Sequence, residues 1–156
     1  MNIRFGIITC SSTRTIEDDT AGAALKELIE AQDWTLCEWI VVPDQRNTIA
    51  RAIALLADKG ADIILTCGGT GLSLQDVTPE ATADVCERMV PGIAEAMRTA
   101  SMEKTRRAML SRAVSMQRGS TLVVNLPGSL KAAVECFDAI YDQFEHAVSM
   151  TAGEGH

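Results

Sequence analysis

The sequence has few aromatic residues, a deficit of basic residues and no paired cysteine motif. Aromatic residues make up 4% of the 156 residues, so aliphatic side chains and methionine must fill the core. The 21 Asp and Glu residues outnumber the 14 Lys and Arg residues, which gives a formal charge of −7. Because nucleic acids favour basic surfaces, we expect no nucleic-acid partner.

The cysteines and the apolar runs indicate the compartment. Five cysteines are scattered without a C-x-x-C motif, at Cys10, Cys37, Cys67, Cys86 and Cys136. We interpret them as buried thiols in a reducing environment. No apolar run reaches the roughly 18 residues of a membrane helix, and the first residues show no signal-peptide pattern. We therefore expect a cytoplasmic protein without a membrane span.

Two familiar catalytic patterns are also absent from the sequence. The chain contains no G-x-x-x-x-G-K-[ST] motif, which excludes a P-loop nucleotide hydrolase. No spacing suggests a Ser-His-Asp or Cys-His arrangement, so the sequence offers no nucleophile of that type.

Strand-like and helix-like segments alternate along most of the chain. Strands are predicted at residues 3–10, 35–42, 61–66 and 121–126, and helices at residues 21–32, 47–58, 79–89, 93–103 and 130–150. Residues 104–117 show no clear period. The alternation predicts a three-layer α/β/α fold with a mainly parallel central sheet. We expect residues 1–150 to form a single domain and residues 151–156 a short, polar, frayed tail.

The most informative stretch, residues 63–80, reads IILTCGGTGLSLQDVTPE. An apolar strand leads into Gly68, Gly69 and Gly71, which lack a Cβ and allow a ligand to approach backbone N–H groups. In open α/β sheets, ligands bind at this carboxyl end of a strand. A plain glycine-rich turn is the alternative, but the neighbouring Thr70 and Asp76 favour a phosphate site.

Two further loops should reach the same edge of the sheet. The first contains Ser11, Ser12 and Asp19, and the last contains Asn125, Pro127, Gly128 and Ser129. Carboxylates from separate loops, here Asp19 and Asp76, suit Mg²⁺, which takes oxygen ligands beside phosphates. The alternatives are a helix cap for Asp19 and a turn cap for Asp76. The last loop is either a second anion site or a strand-to-helix turn.

These motifs together resemble a known family. The sequence TCGGTG at residues 66–71, followed by DVTPEAT at 76–82, closely resembles the glycine-rich signature of molybdenum cofactor biosynthesis proteins of the MogA/MoaB type. The resemblance extends to EDDTAG at 17–22, AMLSR at 108–112 and RGSTLVVNLPG at 118–128, and covers nearly the whole chain. The G-domain of gephyrin is similar as well.

The resemblance implies a molybdopterin adenylyltransferase. Such an enzyme transfers AMP from Mg-ATP to the phosphate of molybdopterin, which yields adenylyl-molybdopterin and pyrophosphate. Carried over by position, Asp19 and Asp76 would be catalytic and would hold Mg²⁺, and Ser11 and Ser12 would lie on the nucleotide side. The substrate-binding residues would be Gly68, Gly69, Thr70, Gly71, Ser101, Ser111, Asn125, Pro127, Gly128 and Ser129.

The chain departs from the family pattern at one position. Adenylyltransferases often have Ser-Asp after the first strand, where this chain has Ser11 and Ser12. A non-catalytic, MoaB-like molybdopterin-binding protein is therefore the alternative, and a nucleotide hydrolase is a third reading because pyrophosphatase domains have a related fold. The resemblance also implies a homotrimer in preference to a hexamer, and contact with the molybdenum-insertion protein.

Overall fold

The computed structural model describes residues 1–154 and contains a six-stranded sheet. The strands are β1 (Arg4–Cys10), β2 (Thr35–Val42), β3 (Ile63–Cys67), β4 (Arg88–Met89), β5 (Ser115–Arg118) and β6 (Thr121–Leu126). Their order across the sheet is β2-β1-β3-β6-β5-β4. The first four strands in this order are parallel, whereas β5 and β4 run antiparallel at one edge.

Helices cover both faces of the sheet. They are α1 (Thr20–Ala31), α2 (Arg46–Asp58), α3 (Thr78–Val85), α4 (Pro91–Met102), α5 (Leu130–Ile140) and α6 (Phe144–Thr151), with 3₁₀ turns at Arg106–Leu110 and Tyr141–Gln143. α1, α4, α5 and α6 pack on one face, and α2 and α3 on the other. The predicted three-layer α/β/α fold with a mainly parallel sheet is thus confirmed. Within residues 1–154, no helix has both the length and the apolar character to cross a membrane.

The sheet separates two apolar cores because successive strand residues point to opposite faces. Ile7 and Leu65 belong to the core under α1, α4 and α5, whereas Ile8 and Ile64 belong to the core under α2 and α3. All four side chains are fully buried. Because helices cover both faces of the sheet, these strands are continuous apolar runs in the sequence.

The antiparallel edge differs from the prediction. The helix expected at residues 79–89 ends at Val85, because Cys86 adopts extended backbone angles (φ −120°, ψ 141°). Arg88 and Met89 then pair with Gln117 and Met116. Two residues are too few to show the alternation that predicts a strand, and the partner strand lies in the segment whose period could not be read.

The last predicted helix is two helices. Ile140 leaves the helical region at φ −129°, and a 3₁₀ turn redirects the chain into α6. The ring of Phe144, which is 1% exposed, then lies 5.6 Å from that of Phe5 and 6.0 Å from that of Phe137. Burial of this ring accounts for the break. Of the predicted tail, Thr151 ends α6, and residues 155–156 lie outside the described residues.

Candidate functional site

The three predicted loops meet at the carboxyl edge of the parallel strands. A Cβ added to Gly68 would lie 2.7 Å from the carbonyl oxygen of Cys10, and one added to Gly128 would lie 3.2 Å from the Cα of Gly68. The N–H of Gly68 also donates to the carbonyl of Leu126 at 2.9 Å. The loops therefore pack backbone against backbone, which only glycine permits at these positions.

The glycine loop, residues 68–76, has a left-handed backbone at two glycines and is anchored to α3. Gly68 and Gly69 have φ angles of +101° and +71°, a region that other L-residues rarely adopt. The N–H of Thr78 donates to the carbonyl of Gly69 at 3.1 Å. Thr70, next in the loop, is 8% exposed. The loop thus presents its backbone beside a helix start, an arrangement that suits an anion.

Asp76 closes the far end of this loop. Its N–H donates to the carbonyl of Ser73 at 2.9 Å, and its Oδ2 accepts from the N–H of Ser73 at 3.3 Å. A Cβ on Gly71 would lie 2.9 Å from the same Oδ2. The turn-capping role and a place beside the glycine loop are therefore compatible, and the carboxylate is half-buried.

Asp19 has a different environment. It is 1% exposed and caps α1, with Oδ1 accepting from the N–H of Gly22 at 3.0 Å. Its Oδ2 accepts from the hydroxyl of Thr9 at 2.5 Å and from the indole N–H of Trp39 at 2.9 Å. Burial and these three hydrogen bonds disfavour a metal ion at this carboxylate. The catalytic and metal-binding roles of Asp19 stay predictions, and the geometry favours a structural cap.

Asp44, which sequence reasoning did not select, borders the glycine loop. Its Oδ1 is buried without a hydrogen-bond partner and would lie 3.5 Å from a Cβ on Gly69. Its Oδ2 accepts from the hydroxyl of Ser12 at 3.2 Å, and its N–H donates to that hydroxyl at 3.1 Å. An unpartnered buried carboxylate oxygen is costly unless a ligand satisfies it. The sequence signal that could have identified Asp44 is its position just after β2, because the parallel strand β2 ends at the same carboxyl edge of the sheet.

A second unsatisfied oxygen lies beside Asp44. The hydroxyl of Thr78 is fully buried and makes no well-formed hydrogen bond, and a Cβ on Gly69 would approach it far more closely than 3.0 Å. The weakly donating thiol of Cys10 is its neighbour. Polar atoms without partners are thus concentrated under the glycine loop, where a ligand or a bound water would satisfy them.

A deep pocket of about 430 Å³ opens beside the glycine loop. Six of the predicted substrate residues line it: Thr70, Gly71, Ser101, Ser111, Asn125 and Pro127. Its remaining wall is mostly apolar and includes Leu72, Met97 and Cys136, with Arg98 and Arg107 as the cationic side chains. This size and lining are typical of small-molecule sites.

The polar side chains of the pocket also hold the protein together. The amide of fully buried Asn125 donates to the hydroxyls of Thr66 and Thr82 at 2.9 and 3.0 Å, and its oxygen accepts from the N–H of Val114 at 3.1 Å. Its polar atoms are therefore engaged internally. Substrate binding by Asn125 stays a prediction, and the side chain shapes the pocket floor in any case.

Other predicted residues lie outside this pocket. Ser129 caps α5 by accepting from the N–H of Ala132 at 3.4 Å. Arg14 connects the first and last loops by donating to the carbonyl of Gly128 at 2.9 Å. Ser11 and Ser12 line a separate, more open depression of about 520 Å³ beside β2. The structure therefore separates the serine pair from the deep pocket.

The thiols near the site are poor nucleophiles. Burial raises the pKa of Cys10 and that of Cys67 to about 12, and it also raises the pKa of Cys136, whose Sγ lies 3.5 Å from the hydroxyl of Ser101. Because the thiolate is the reactive form, these side chains behave as small apolar groups at neutral pH.

The carboxylates fit a metal that is bound partly by its substrate. Within residues 1–154, no group of three His, Cys, Asp or Glu side chains could hold a metal ion. Mg²⁺, however, usually takes one or two protein carboxylates and completes its shell with phosphates and water. Asp44, beside Gly69, and Asp76, beside Gly71, are the carboxylates next to the glycine loop that could contribute to such a shell.

The fold and the site define a three-layer α/β protein with a glycine-rich loop beside a pocket at the carboxyl edge of its sheet. The family described as "Probable molybdopterin binding domain" matches residues 6–146. The chain belongs to this family.

Individual relatives carry different names. The molybdopterin adenylyltransferase of Helicobacter pylori (strain 26695) is 33% identical over 97% of this chain and 89% of its own length. The molybdenum cofactor biosynthesis protein B of Halalkalibacterium halodurans is 35% identical over 83% of this chain and 78% of its own. The crystal structure of the molybdopterin biosynthesis enzyme MoaB from Thermus thermophilus is 41% identical, covers 97% of this chain and 98% of its own, and superposes with a TM-score of 0.89.

Proposed function

We propose that this protein is a molybdopterin adenylyltransferase. An oxygen of the molybdopterin phosphate attacks the α-phosphorus of ATP, a new P–O bond forms, and the bond to the β-phosphate breaks. The products are adenylyl-molybdopterin and pyrophosphate. The unpartnered, buried Oδ1 of Asp44 beside the glycine loop carries the proposal, because a carboxylate oxygen is completed by a donor or a cation and so supports a place for the Mg²⁺ that accompanies ATP.

In this proposal, the two substrates bind in different places. The deep pocket beside Thr70 accommodates the pterin, and the depression lined by Ser11 and Ser12 lies on the nucleotide side. The glycine loop, which borders the pocket, would hold the reacting phosphates through its N–H groups. Reactions of this kind depend mainly on alignment and charge neutralisation, which is why a protein nucleophile is unnecessary.

Mg²⁺ is the cation that we propose for this site. Asp44 and Asp76 would hold it together with the phosphates of ATP, and its charge would neutralise oxygens of the transferring group. Asp19, whose carboxylate accepts three hydrogen bonds, would support the site by fixing the start of α1.

The alternative function is a molybdopterin-binding protein without catalytic activity. Ser12 motivates it, because the hydroxyl of Ser12 is engaged with Asp44 where adenylyltransferases often supply a carboxylate. Calorimetry separates the two functions: a non-catalytic binder takes molybdopterin but has no affinity for Mg-ATP.

The deciding experiment incubates the protein with molybdopterin, ATP and Mg²⁺ and measures adenylyl-molybdopterin by mass spectrometry. We expect the product and an equal amount of pyrophosphate. Release of AMP from ATP without pterin would instead indicate a nucleotide hydrolase. Absence of product at saturating ATP would contradict the adenylyltransferase.

The setting of the reaction is also part of the proposal. We expect a homotrimer in preference to a hexamer, a cytoplasmic location and contact with the molybdenum-insertion protein. Exposed Met89 and Met150 line an apolar groove along the antiparallel edge, which supports self-association. Light scattering with size-exclusion chromatography measures the oligomeric state.

A further inference from the structure

Arg112 directs its guanidinium at the backbone of the glycine loop. Its Nε donates to the carbonyl of Gly71 at 2.7 Å, and its Nη2 donates to the carbonyl of Asp76 at 2.8 Å. The N–H of Arg112 itself donates to the carbonyl of Thr70 at 2.8 Å. One residue therefore contacts the loop at its beginning and at its end.

The same guanidinium binds the first turn of α3. Its Nη1 lies 2.5 Å from Oε2 of Glu80 and its Nη2 lies 3.3 Å from Oε1. This ion pair lowers the pKa of Glu80 and raises that of Arg112. A planar guanidinium can serve four acceptors in fixed directions, which an ammonium group cannot do.

The segment between these anchors has little else to order it. Leu72 is 63% exposed and Leu74 is 98% exposed, and the internal hydrogen bonds of the segment involve Ser73, Gln75 and Asp76. A short exposed segment with so few contacts would open readily by itself. The bonds from Arg112 are thus the main restraint that the protein supplies from outside the loop.

We propose that Arg112 is a positioning residue that holds the glycine loop and the Asp76 carboxylate in their working geometry. This inference rests on the proposed adenylyl transfer. Four of the five guanidinium N–H groups are engaged with protein acceptors. Arg112 therefore acts through the loop, rather than by clamping a substrate phosphate itself.

Two variants and a matched control test the proposal. Arg112→Gln removes the guanidinium group, and Arg112→Lys keeps the positive charge without the planar guanidinium. Arg46→Gln is the control, because Arg46 forms an equivalent bidentate pair with Asp84 of α3, with both distances 2.7 Å, at the protein surface. Glu80→Gln is a milder change that keeps the size of the side chain should Arg112→Gln fold poorly.

The first readout is hydrogen–deuterium exchange, which does not depend on activity. In Arg112→Gln, we expect the N–H groups of Asp76 and Thr78 to exchange at least tenfold faster than in the wild type, and in Arg46→Gln to exchange at the wild-type rate. Glu80→Gln should give a smaller change in the same direction. Unchanged exchange in Arg112→Gln, or equal loosening in Arg46→Gln, overturns the proposal.

The second readout separates kcat from KM. We expect kcat to fall about 100-fold in Arg112→Gln, the size of effect that a misplacement of about 1 Å can cause, while KM for molybdopterin changes less than about threefold. The kcat of Arg112→Lys should stay below a tenth of the wild-type value. A wild-type kcat in Arg112→Lys would show that the positive charge alone suffices and would overturn the role of the planar guanidinium. If the wild type itself makes no product, the adenylyltransferase proposal fails, whereas the exchange experiment still decides whether Arg112 restrains the loop.

Discussion

Replacing Gly69 with alanine should destabilise the protein strongly. Gly69 has φ +71°, and an L-residue in this left-handed region costs roughly 1–2 kcal/mol. The new Cβ would also collide with the hydroxyl of Thr78, which is fully buried and cannot move away freely. Overpacking of this kind typically costs about 1–3 kcal/mol. The combined loss is about 2–5 kcal/mol.

The chain provides controls that separate these two terms. Gly119 has φ +54°, and a Cβ there would meet no atom within 4 Å, so Gly119→Ala measures the backbone term alone. Gly92 has open space and no positive φ, and Gly92→Ala should be nearly neutral. The steric term is then the difference in unfolding free energy between Gly69→Ala and Gly119→Ala.

Urea denaturation followed by circular dichroism measures these free energies. For a chain of this size, a loss of about 2–5 kcal/mol corresponds to a fall in Tm on the order of 10 °C. The variant Gly69→Ala/Thr78→Ala removes the colliding oxygen, so the double mutant should be about 1–3 kcal/mol more stable than the sum of the single effects predicts. Equal stability of Gly69→Ala and Gly119→Ala, or no coupling with Thr78, would refute the clash.

Three other predictions concern the carboxylates and the thiols. Asp44→Asn should preserve the fold and lower kcat by about 100-fold or more, because a carboxylate ligand of the proposed Mg²⁺ is lost. Asp76→Asn should behave alike, and steady-state kinetics measures both. Trp39→Phe should lower the unfolding free energy by about 1.5–3 kcal/mol, because Asp19 loses a hydrogen bond to its charged side chain. In the native protein at pH 8, Ellman's reagent should label half-exposed Cys37 at least about tenfold faster than the four buried thiols.

Each of these predictions has a control. Asp58→Asn, on the exposed end of α2, should leave kcat unchanged. Trp34→Phe removes no hydrogen bond, because the indole N–H of Trp34 is buried without a partner. Its unfolding free energy should therefore lose no hydrogen-bond contribution, unlike that of Trp39→Phe. Cys37→Ser should remove the fast labelling phase. Wild-type kcat in Asp44→Asn, or a fast phase that survives in Cys37→Ser, would contradict the corresponding assignment.

The central strands were predictable because both faces of the sheet are covered. Burial on both sides makes Ile63–Cys67 and Thr121–Leu126 continuous apolar runs, and their predicted bounds are close to the observed ones. The two-residue strand Arg88–Met89 carries no such signal, since its pairing with β5 depends on neighbours distant in the chain. The break before α6 likewise depends on a cluster of rings, and a helical period cannot reveal it.

The glycine loop was predictable for a local reason, whereas the choice among carboxylates was not. Positive φ and close backbone approach require glycine at residues 68 and 69, so the sequence itself records the loop. A carboxylate is free or engaged according to its neighbours in space. Asp19 receives donors from Thr9 and Trp39, residues 10 and 20 positions away, which no pattern in its own loop reveals.

The serine that departs from the family pattern acquires a defined role from this geometry. The hydroxyl of Ser12 donates to Oδ2 of Asp44 and accepts from its N–H, so it fixes the carboxylate and leaves Oδ1 without a partner. An aspartate at this position would place a second negative charge beside Asp44, whereas serine adds none. In the proposed adenylyl transfer, the depression lined by Ser11 and Ser12 would therefore carry less negative charge to oppose ATP, and serine at this position is compatible with the proposed roles of Asp44 and Asp76.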